Sequence, residues 1–274
     1  MPELPEVETI RRALLAHLPG RTIAAVEIFA PKLREPLAPL RSAGLDGRRI
    51  VAVRRRARYL LIDLDDGRLI LAHLGMSGVI RIEGPDVPRR KHEHVFIHLS
   101  DGMIFRFECT RRFSILKVCA PVSPGGDPPE LAKLGVEPFD AGFTAEYLFE
   151  RAQGRKGCVK NFLMDNAVVV GVGNIYAAES LFAAKLSPLR PAGQVTLDEF
   201  AALAAAVRRI LASAIAAGGT SISDYKSVDG SEGKFEQELQ MYGRAGQPCP
   251  VCGAAIAMRR LGGRSSCFCP VCQQ

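Results

Sequence analysis

The 274-residue sequence has no stretch approaching 18 uncharged apolar residues, which excludes an ordinary membrane-spanning helix. Its opening, MPELPEVETIRR, carries proline and glutamate where an export signal needs a basic flank and an apolar core. The expectation is a cytoplasmic protein with no membrane partner. No internal repeat or low-complexity tract is apparent, and the length suffices for one large core or two modest ones. A hydrophobic content of 47% with mean hydropathy near zero fits a globular chain. Acid is missing from one region: the last 34 residues, Met241 to Gln274, hold Arg244, Arg259, Arg260 and Arg264 but neither Asp nor Glu.

The net charge is +7, from 36 basic and 29 acidic residues, so distribution matters more than the sum. VAVRRRARYL contributes Arg54, Arg55, Arg56 and Arg58, and ECTRRF contributes Arg111 and Arg112. Such patches attract polyanions, and beside specific motifs they are more than solvated surface.

Leu4, Val7, Ile10, Leu14 and Leu18 recur at helical spacing, with Pro5 tolerated near the start and Pro19-Gly20 as the stop. Seven short β-rich segments then alternate with turn signals: RTIAAVEIF, RRIVAVRRR, RYLLIDL, RLILAHL, HVFIHLS, MIFRFE and FSILKV. They predict an antiparallel sandwich or barrel. APVSPGGDPPELAKLG breaks the composition, and beyond it the pattern is helical. Thr144 can cap AEYLFERAQ, and a Thr196–Glu199 capping box opens a long Ala-rich helix that stops at Gly218-Gly219. The predicted organisation is α+β and multidomain, with segments 1–130, 131–240 and 241–274.

Cys249 and Cys252 form one C-x-x-C and Cys269 and Cys272 another, with 16 residues between the pairs. Two such knuckles complete a tetrahedral zinc site, and four thiolates leave no open position, so the ion is structural. Redox dithiols are the alternative, disfavoured by the duplicated spacing and by a reducing compartment. Cys267 breaks the spacing and reads as a non-ligand. MRRLGGR between the knuckles resembles a hairpin with a cationic tip, Arg264 being the preferred contact to phosphate or base. Upstream, GVGNIYAAES brings Gly171 and Gly173 into a helix start, where backbone amides and Asn174 can meet an anion and Lys160 can approach it. The third glycine of the dinucleotide pattern is missing, so a polymer phosphate fits better than a free cofactor.

Removal of Met1, which the small second residue allows, turns Pro2 into a secondary amine that titrates near neutrality. Such an amine attacks carbon at the aldehyde oxidation level and forms an electron-withdrawing iminium. Glu3 and Glu6 stand beside it. The same residues also suit a rigid helix start with acids at the positive end of the dipole, and local physics leaves both readings open.

PELPEVETIRR, HLGMSG, KHEHV, RRF, MDN followed by GVGNIYAAESLFAAKLSP, GGTSISDY, ELQMYGRAGQPCPVCG and the closing CPVCQ together resemble the formamidopyrimidine-DNA glycosylase family, in order over nearly the whole chain. The resemblance implies an N-terminal helix on a β-sandwich, a helix–two-turns–helix module and a C-terminal four-cysteine zinc finger with one structural Zn2+. It implies a monomeric, nucleoid-associated base-excision-repair enzyme that removes oxidised purines from damaged duplex DNA and cuts by β,δ-elimination. Pro2 would be the nucleophile and Glu3 the acid/base, with Glu6, Arg58 and Arg264 in the catalytic set. His92, Arg111, Arg112, Lys160 and Asn174 would bind DNA, Met76, Arg111 and Phe113 would enter the duplex, and Ser221–Phe235 would cover the everted base. Two departures stand out. Arg58 replaces a usual Lys, and Glu108-Cys109-Thr110 replaces Thr-Asp-Pro before Arg-Arg-Phe, with Ser114 after it in place of Gly. Two alternatives remain at this point: an endonuclease VIII-like enzyme for oxidised pyrimidines and a catalytically silent lesion-binding protein.

Overall fold

The structure, a computed structural model, describes residues 1–220 and 235–274. The expected lesion-covering segment lies outside the described residues, apart from Phe235. The described chain forms two compact units. The first comprises Met1–Ala132 and the return of the chain at Ala217 to Thr220.

This unit opens with α1 (Leu4–Leu15), whose buried Leu4, Val7, Ile10 and Leu14 form the predicted stripe. The helix ends at Leu15, before the expected Pro19-Gly20 stop, because the Ala16 N–H turns back to the carbonyls of Ala13 and Leu14. Leu18 is nevertheless fully buried. Nine elements follow: β1 (Ile23–Ile28), α2 (Ala38–Ser42), β2 (Ile50–Arg56), β3 (Tyr59–Leu64), β4 (Leu69–His73), β5 (Gly78–Glu83), β6 (Glu93–Leu99), β7 (Ile104–Cys109) and β8 (Ile115–Cys119). They build two four-stranded antiparallel sheets, ordered β1-β6-β7-β5 and β2-β3-β4-β8. Val53, Leu60, Ile62, Ile70 and Ala72 of one sheet share a core with Ile80, Val95, Ile97, Phe105 and Phe107 of the other, which makes this a sandwich. α1 packs on β2 and β3. The seven predicted segments all carry strands. The eighth, GVIRIE, starts directly at Gly78 out of the HLGMSG loop and is missed by a segmentation that relies on polar turn signals.

The pairing places two connections side by side. His73 of β4 faces Ile115 of β8 in one sheet, and Gly78 of β5 faces Cys109 of β7 in the other. The β4–β5 and β7–β8 loops therefore cross between the sheets at one edge, and they carry Met76 and Arg111–Phe113.

The Arg54–Arg56 run differs from its reading as polyanion-attracting surface. Arg54 grips Asp63 (2.6 Å) and the Gly125 and Gly126 carbonyls, Arg55 meets Glu8 (3.3 Å), and Arg56 meets Asp127 (3.0 Å). These guanidiniums are spent internally, because strand β2 runs beside acids contributed by α1, β3 and the segment after β8.

The second unit comprises 133–216 and 235–274. It contains α3 (Ala145–Ala152), α4 (Val159–Leu163), α5 (Asn174–Ala183), α6 (Leu197–Ala216), β9 (Ala257–Leu261) and β10 (Arg264–Phe268). The expected caps are present. Thr144 Oγ1 accepts the Tyr147 N–H at 3.1 Å, and Thr196 Oγ1 and Glu199 Oε2 accept each other's backbone N–H at 3.3 and 2.8 Å. α3 and α5 pack on α6, and β10 packs on α5. Phe182 and Ala178 share a small core with Met241, Ile256, Cys249, Cys267 and Cys269, so the tail is packed onto the helices.

Candidate active site and metal centre

Glu3 is the N-cap of α1, and Glu6 bends back to accept the Glu3 N–H on Oε2 at 2.8 Å, one arm of a capping box. The other Glu6 oxygen accepts the Thr220 N–H at 2.9 Å and its hydroxyl at 3.1 Å. A buried carboxylate thus ties the start of the chain to the segment that returns after α6. Gly219 makes the approach possible: its φ is +81°, and a Cβ there would lie 3.0 Å from Glu6 Oε1. Thr220 belongs to the GGTSISDY motif, but its pairing with Glu6 could not be read from the chain because the two lie 214 residues apart.

The N-terminal amine, on Met1 in this chain, has its pKa lowered. Burial is the largest cause, Arg58 and Arg111 push in the same direction, and Glu3 and Glu6 oppose them. The surroundings therefore shift the terminal amine toward its uncharged form, the form that can act as a nucleophile. Arg58 is buried on the two-residue turn between β2 and β3, where Ala57 takes φ +54° and Arg55 bonds the Ala57 carbonyl at 3.0 Å. Arg58 also helps depress His73, whose pKa falls to about 4 chiefly through burial. His73 Nδ1 accepts the Gly75 N–H at 3.1 Å, which a neutral imidazole can do.

Met76 (43% exposed) and Phe113 (53%) project from the two adjacent inter-sheet loops, and Arg111 and Arg112 are exposed beside Phe113. Arg112 holds φ +53°, a left-handed conformation unusual for a long side chain. His92 is half-buried at the neighbouring strand end, and its carbonyl accepts the Cys109 N–H at 2.9 Å. The structure thus groups Pro2, Glu3, Glu6 and Arg58 with Arg111 in the first unit.

The second unit holds the remaining expected contacts. Lys160 is 1% exposed, and its ammonium donates to Asn174 Oδ1 at 2.6 Å, Ser266 Oγ at 2.5 Å and the Ser265 carbonyl at 3.4 Å. Asn174 returns a bond from Nδ2 to the same Ser265 carbonyl at 3.1 Å. The start of α5 is therefore fastened to the start of β10, where Arg264 is exposed. The β9–β10 hairpin turns through Gly262-Gly263, both at positive φ (+54° and +77°), as a two-residue turn of this kind requires. The sequence reading did not reach Ser265, Ser266 or Glu179. The buried Glu179 carboxylate on α5 accepts the N–H groups of Gln240, Met241 and Tyr242 at 2.8–2.9 Å and so holds the entry to the tail. A glutamate on the apolar face of an Ala-rich helix was the available signal.

Cys249, Cys252, Cys269 and Cys272 bring their sulfurs within 4.8 Å of one another. Two sulfur pairs stand 3.9 Å (Cys249–Cys272) and 3.4 Å (Cys252–Cys269) apart, close to the roughly 3.8 Å separation set by tetrahedral Zn–S bonds of about 2.3 Å. The donor set can coordinate a metal ion. Cys267 is outside the cluster, buried in the tail core.

A helix-capped β-sandwich, a helical unit and a four-cysteine metal-binding tail define a multidomain DNA-repair glycosylase architecture. Family models match in that order: formamidopyrimidine-DNA glycosylase N-terminal domain over 1–116, its H2TH domain over 134–226, and the zinc finger found in FPG and IleRS over 246–274. The chain belongs to the formamidopyrimidine-DNA glycosylase family. It is similar to the formamidopyrimidine-DNA glycosylase of Stenotrophomonas maltophilia, 51% identical with 100% of both chains covered. Among solved structures it resembles the MutM (FPG) protein of Thermus thermophilus, with a TM-score of 0.86, 38% identity and coverage of 99% and 98%. It also resembles a mutant of the Lactococcus lactis FPG in complex with a Fapy-dG containing DNA, with a TM-score of 0.88, 33% identity and full coverage of both chains.

Proposed function

We infer that this chain is a bifunctional DNA glycosylase and AP lyase of base excision repair, acting on oxidised purines in duplex DNA. The observation that carries the reading is the chain's amino end, where burial, with Arg58 and Arg111, lowers the pKa of the terminal amine beside the carboxyl groups of Glu3 and Glu6. Once Met1 is removed, the Pro2 nitrogen attacks C1′ of the damaged nucleotide. The C1′–N bond to the base breaks, and Glu3 protonates the sugar ring oxygen as the ring opens. The resulting iminium accepts electron density from C2′, so loss of a C2′ proton expels the 3′ phosphate, and a second elimination expels the 5′ phosphate. Glu6 supports this chemistry by fixing the Glu3 backbone, and Arg58 by its charge.

Met76, Arg111 and Phe113 fill the space left by the extruded base, Arg111 pairing with the orphaned cytosine. Arg112 and His92 flank them on the DNA side. Arg264 and the helix start at Asn174 hold backbone phosphates, with Lys160 supplying charge behind Asn174. The work divides among 1–130 for chemistry, 131–240 for phosphate grip and 241–274 for the finger. The four cysteines hold one structural Zn2+, which supplies folding free energy to a tail with little core. No described helix is long and apolar enough to cross a membrane. We place the protein as a monomer in the bacterial cytoplasm, where the chromosome lies and thiols stay reduced.

The test is cleavage of duplexes carrying a single 8-oxoguanine opposite cytosine, with borohydride added, against a matched duplex carrying an oxidised pyrimidine. A covalent adduct and δ-elimination ends on the first duplex support the reading. Preference for the pyrimidine would move the chain to the endonuclease VIII-like branch, and binding without adduct on either would leave a silent binder.

A further inference from the structure

The two insertion loops are fastened to each other at their base by a serine. Ser114, fully buried, donates its hydroxyl to the Leu74 carbonyl at 2.6 Å, across from the β7–β8 loop to the β4–β5 loop. The same hydroxyl lies 2.9 Å from the fully buried Cys109 sulfur, the alternative acceptor for its single proton. The same Leu74 carbonyl accepts the Gly78 N–H at 2.8 Å, and the Arg111 N–H donates to Ser77 Oγ at 3.2 Å. The loops touch backbone to backbone. A Cβ on Gly75 would lie 2.6 Å from the Phe113 carbonyl oxygen, and one on Gly78 would lie 2.4 Å from Leu74 O and 2.7 Å from Ser114 Oγ. Buried polar atoms lock one loop to the other while Met76, Arg111 and Phe113 stand outside the lock.

This chain has its unusual residues here: Cys109 and Ser114 are both departures from the pattern its family resemblance suggests, and no proline stiffens the approach to Arg111. We propose that Ser114 is a positioning residue that sets opposite-base discrimination, by making the two insertion loops one body. The proposal rests on the reading of Met76, Arg111 and Phe113 as the residues that enter the duplex. With the clasp closed, the Arg111 backbone is held to Ser77 of the facing loop, and a guanidinium carried on so fixed a backbone can satisfy cytosine with paired donors but not adenine. With the clasp open, Arg111 gains freedom and the advantage of the cytosine partner falls.

The test compares wild type, Ser114→Ala and Cys109→Ser in single-turnover excision of 8-oxoguanine opposite cytosine and opposite adenine, with AP-lyase cleavage of single-stranded abasic DNA alongside. The single strand has no opposite base, so the clasp has nothing to position there. The expected result for Ser114→Ala is a cytosine-to-adenine rate ratio about tenfold lower, carried by the cytosine duplex, as loss of one buried hydrogen bond allows. Its single-stranded cleavage stays within about twofold of wild type. Cys109→Ser, which keeps a small polar neighbour for Ser114, retains the wild-type ratio. An unchanged ratio in Ser114→Ala overturns the proposal, as does an equal loss on all three substrates, which would mark a purely structural serine. Wild type that cleaves the abasic strand but excises from neither duplex overturns the substrate reading itself.

Discussion

Replacing Glu6 by Gln keeps its shape but removes one acceptor from a carboxyl group that, among the described residues, serves three donors. Oε2 takes the Glu3 N–H at 2.8 Å, and Oε1 takes the Thr220 N–H and hydroxyl at 2.9 and 3.1 Å. An amide has a single acceptor oxygen. Facing it toward Thr220 preserves two bonds and sets the NH2 against the Glu3 N–H; the opposite orientation opposes the Thr220 N–H and forces its hydroxyl to reverse roles. The first is cheaper. It forfeits one charge-assisted bond in a buried site, about 2–3 kcal/mol. The loss falls on the backbone of Glu3, adjacent to the nucleophile. Displacement of a reacting group by this amount of energy lowers the rate by roughly 30- to 150-fold. Single-turnover borohydride trapping on an 8-oxoguanine duplex reads that rate, and a gel-shift assay reads binding. Glu6→Gln is expected to trap roughly 30- to 150-fold more slowly, with a dissociation constant within about threefold of wild type. Trapping at the wild-type rate would refute Glu6 as the bracket of the reactive terminus, and equal losses in binding and trapping would make it a general structural residue.

Lys160→Met is expected to weaken DNA binding about tenfold, through misplacement of Asn174 and of β10, while leaving the salt dependence nearly unchanged; a fall of about 0.9 in the log–log slope would instead show a direct phosphate contact by the ammonium. Elemental analysis should find one zinc per chain in the wild type and in Cys267→Ser, and its loss in Cys249→Ser should abolish DNA binding. His73 has a folded pKa of about 4 against about 6.5 unfolded, so between those values the unfolded state binds more protons. Its contribution is complete above about pH 6.5 and declines as pH falls toward about 4. From about pH 7.5 to about 5.0 it removes about 2 kcal/mol, a loss that chemical denaturation should find missing in His73→Asn.

Legibility followed the range of the interactions. Helix caps such as Thr144 and Thr196–Glu199 are local, and the structure contains them as read. The cysteine knuckles were visible because metal geometry imposes a short, repeated spacing. Strand β5 was not, since the loop that feeds it has no polar boundary. The Arg54–Arg56 run misled for a related reason: charge is read from the chain, but Glu8, Asp63 and Asp127 become its partners only in the fold. In the candidate site, Pro2, Glu3 and Glu6 stood out through their neighbours, and the clasp between Ser114 and Leu74 needed two inter-sheet loops to meet.

The central claim is that the terminal secondary amine is the nucleophile. The direct measurement is peptide mapping by mass spectrometry of the borohydride-trapped adduct formed on an 8-oxoguanine duplex. The account predicts a chain lacking Met1 with the reduced sugar attached to the nitrogen of Pro2, in the peptide that contains Glu3 and Glu6. An adduct on a lysine peptide, or efficient trapping by protein that retains Met1, would contradict it.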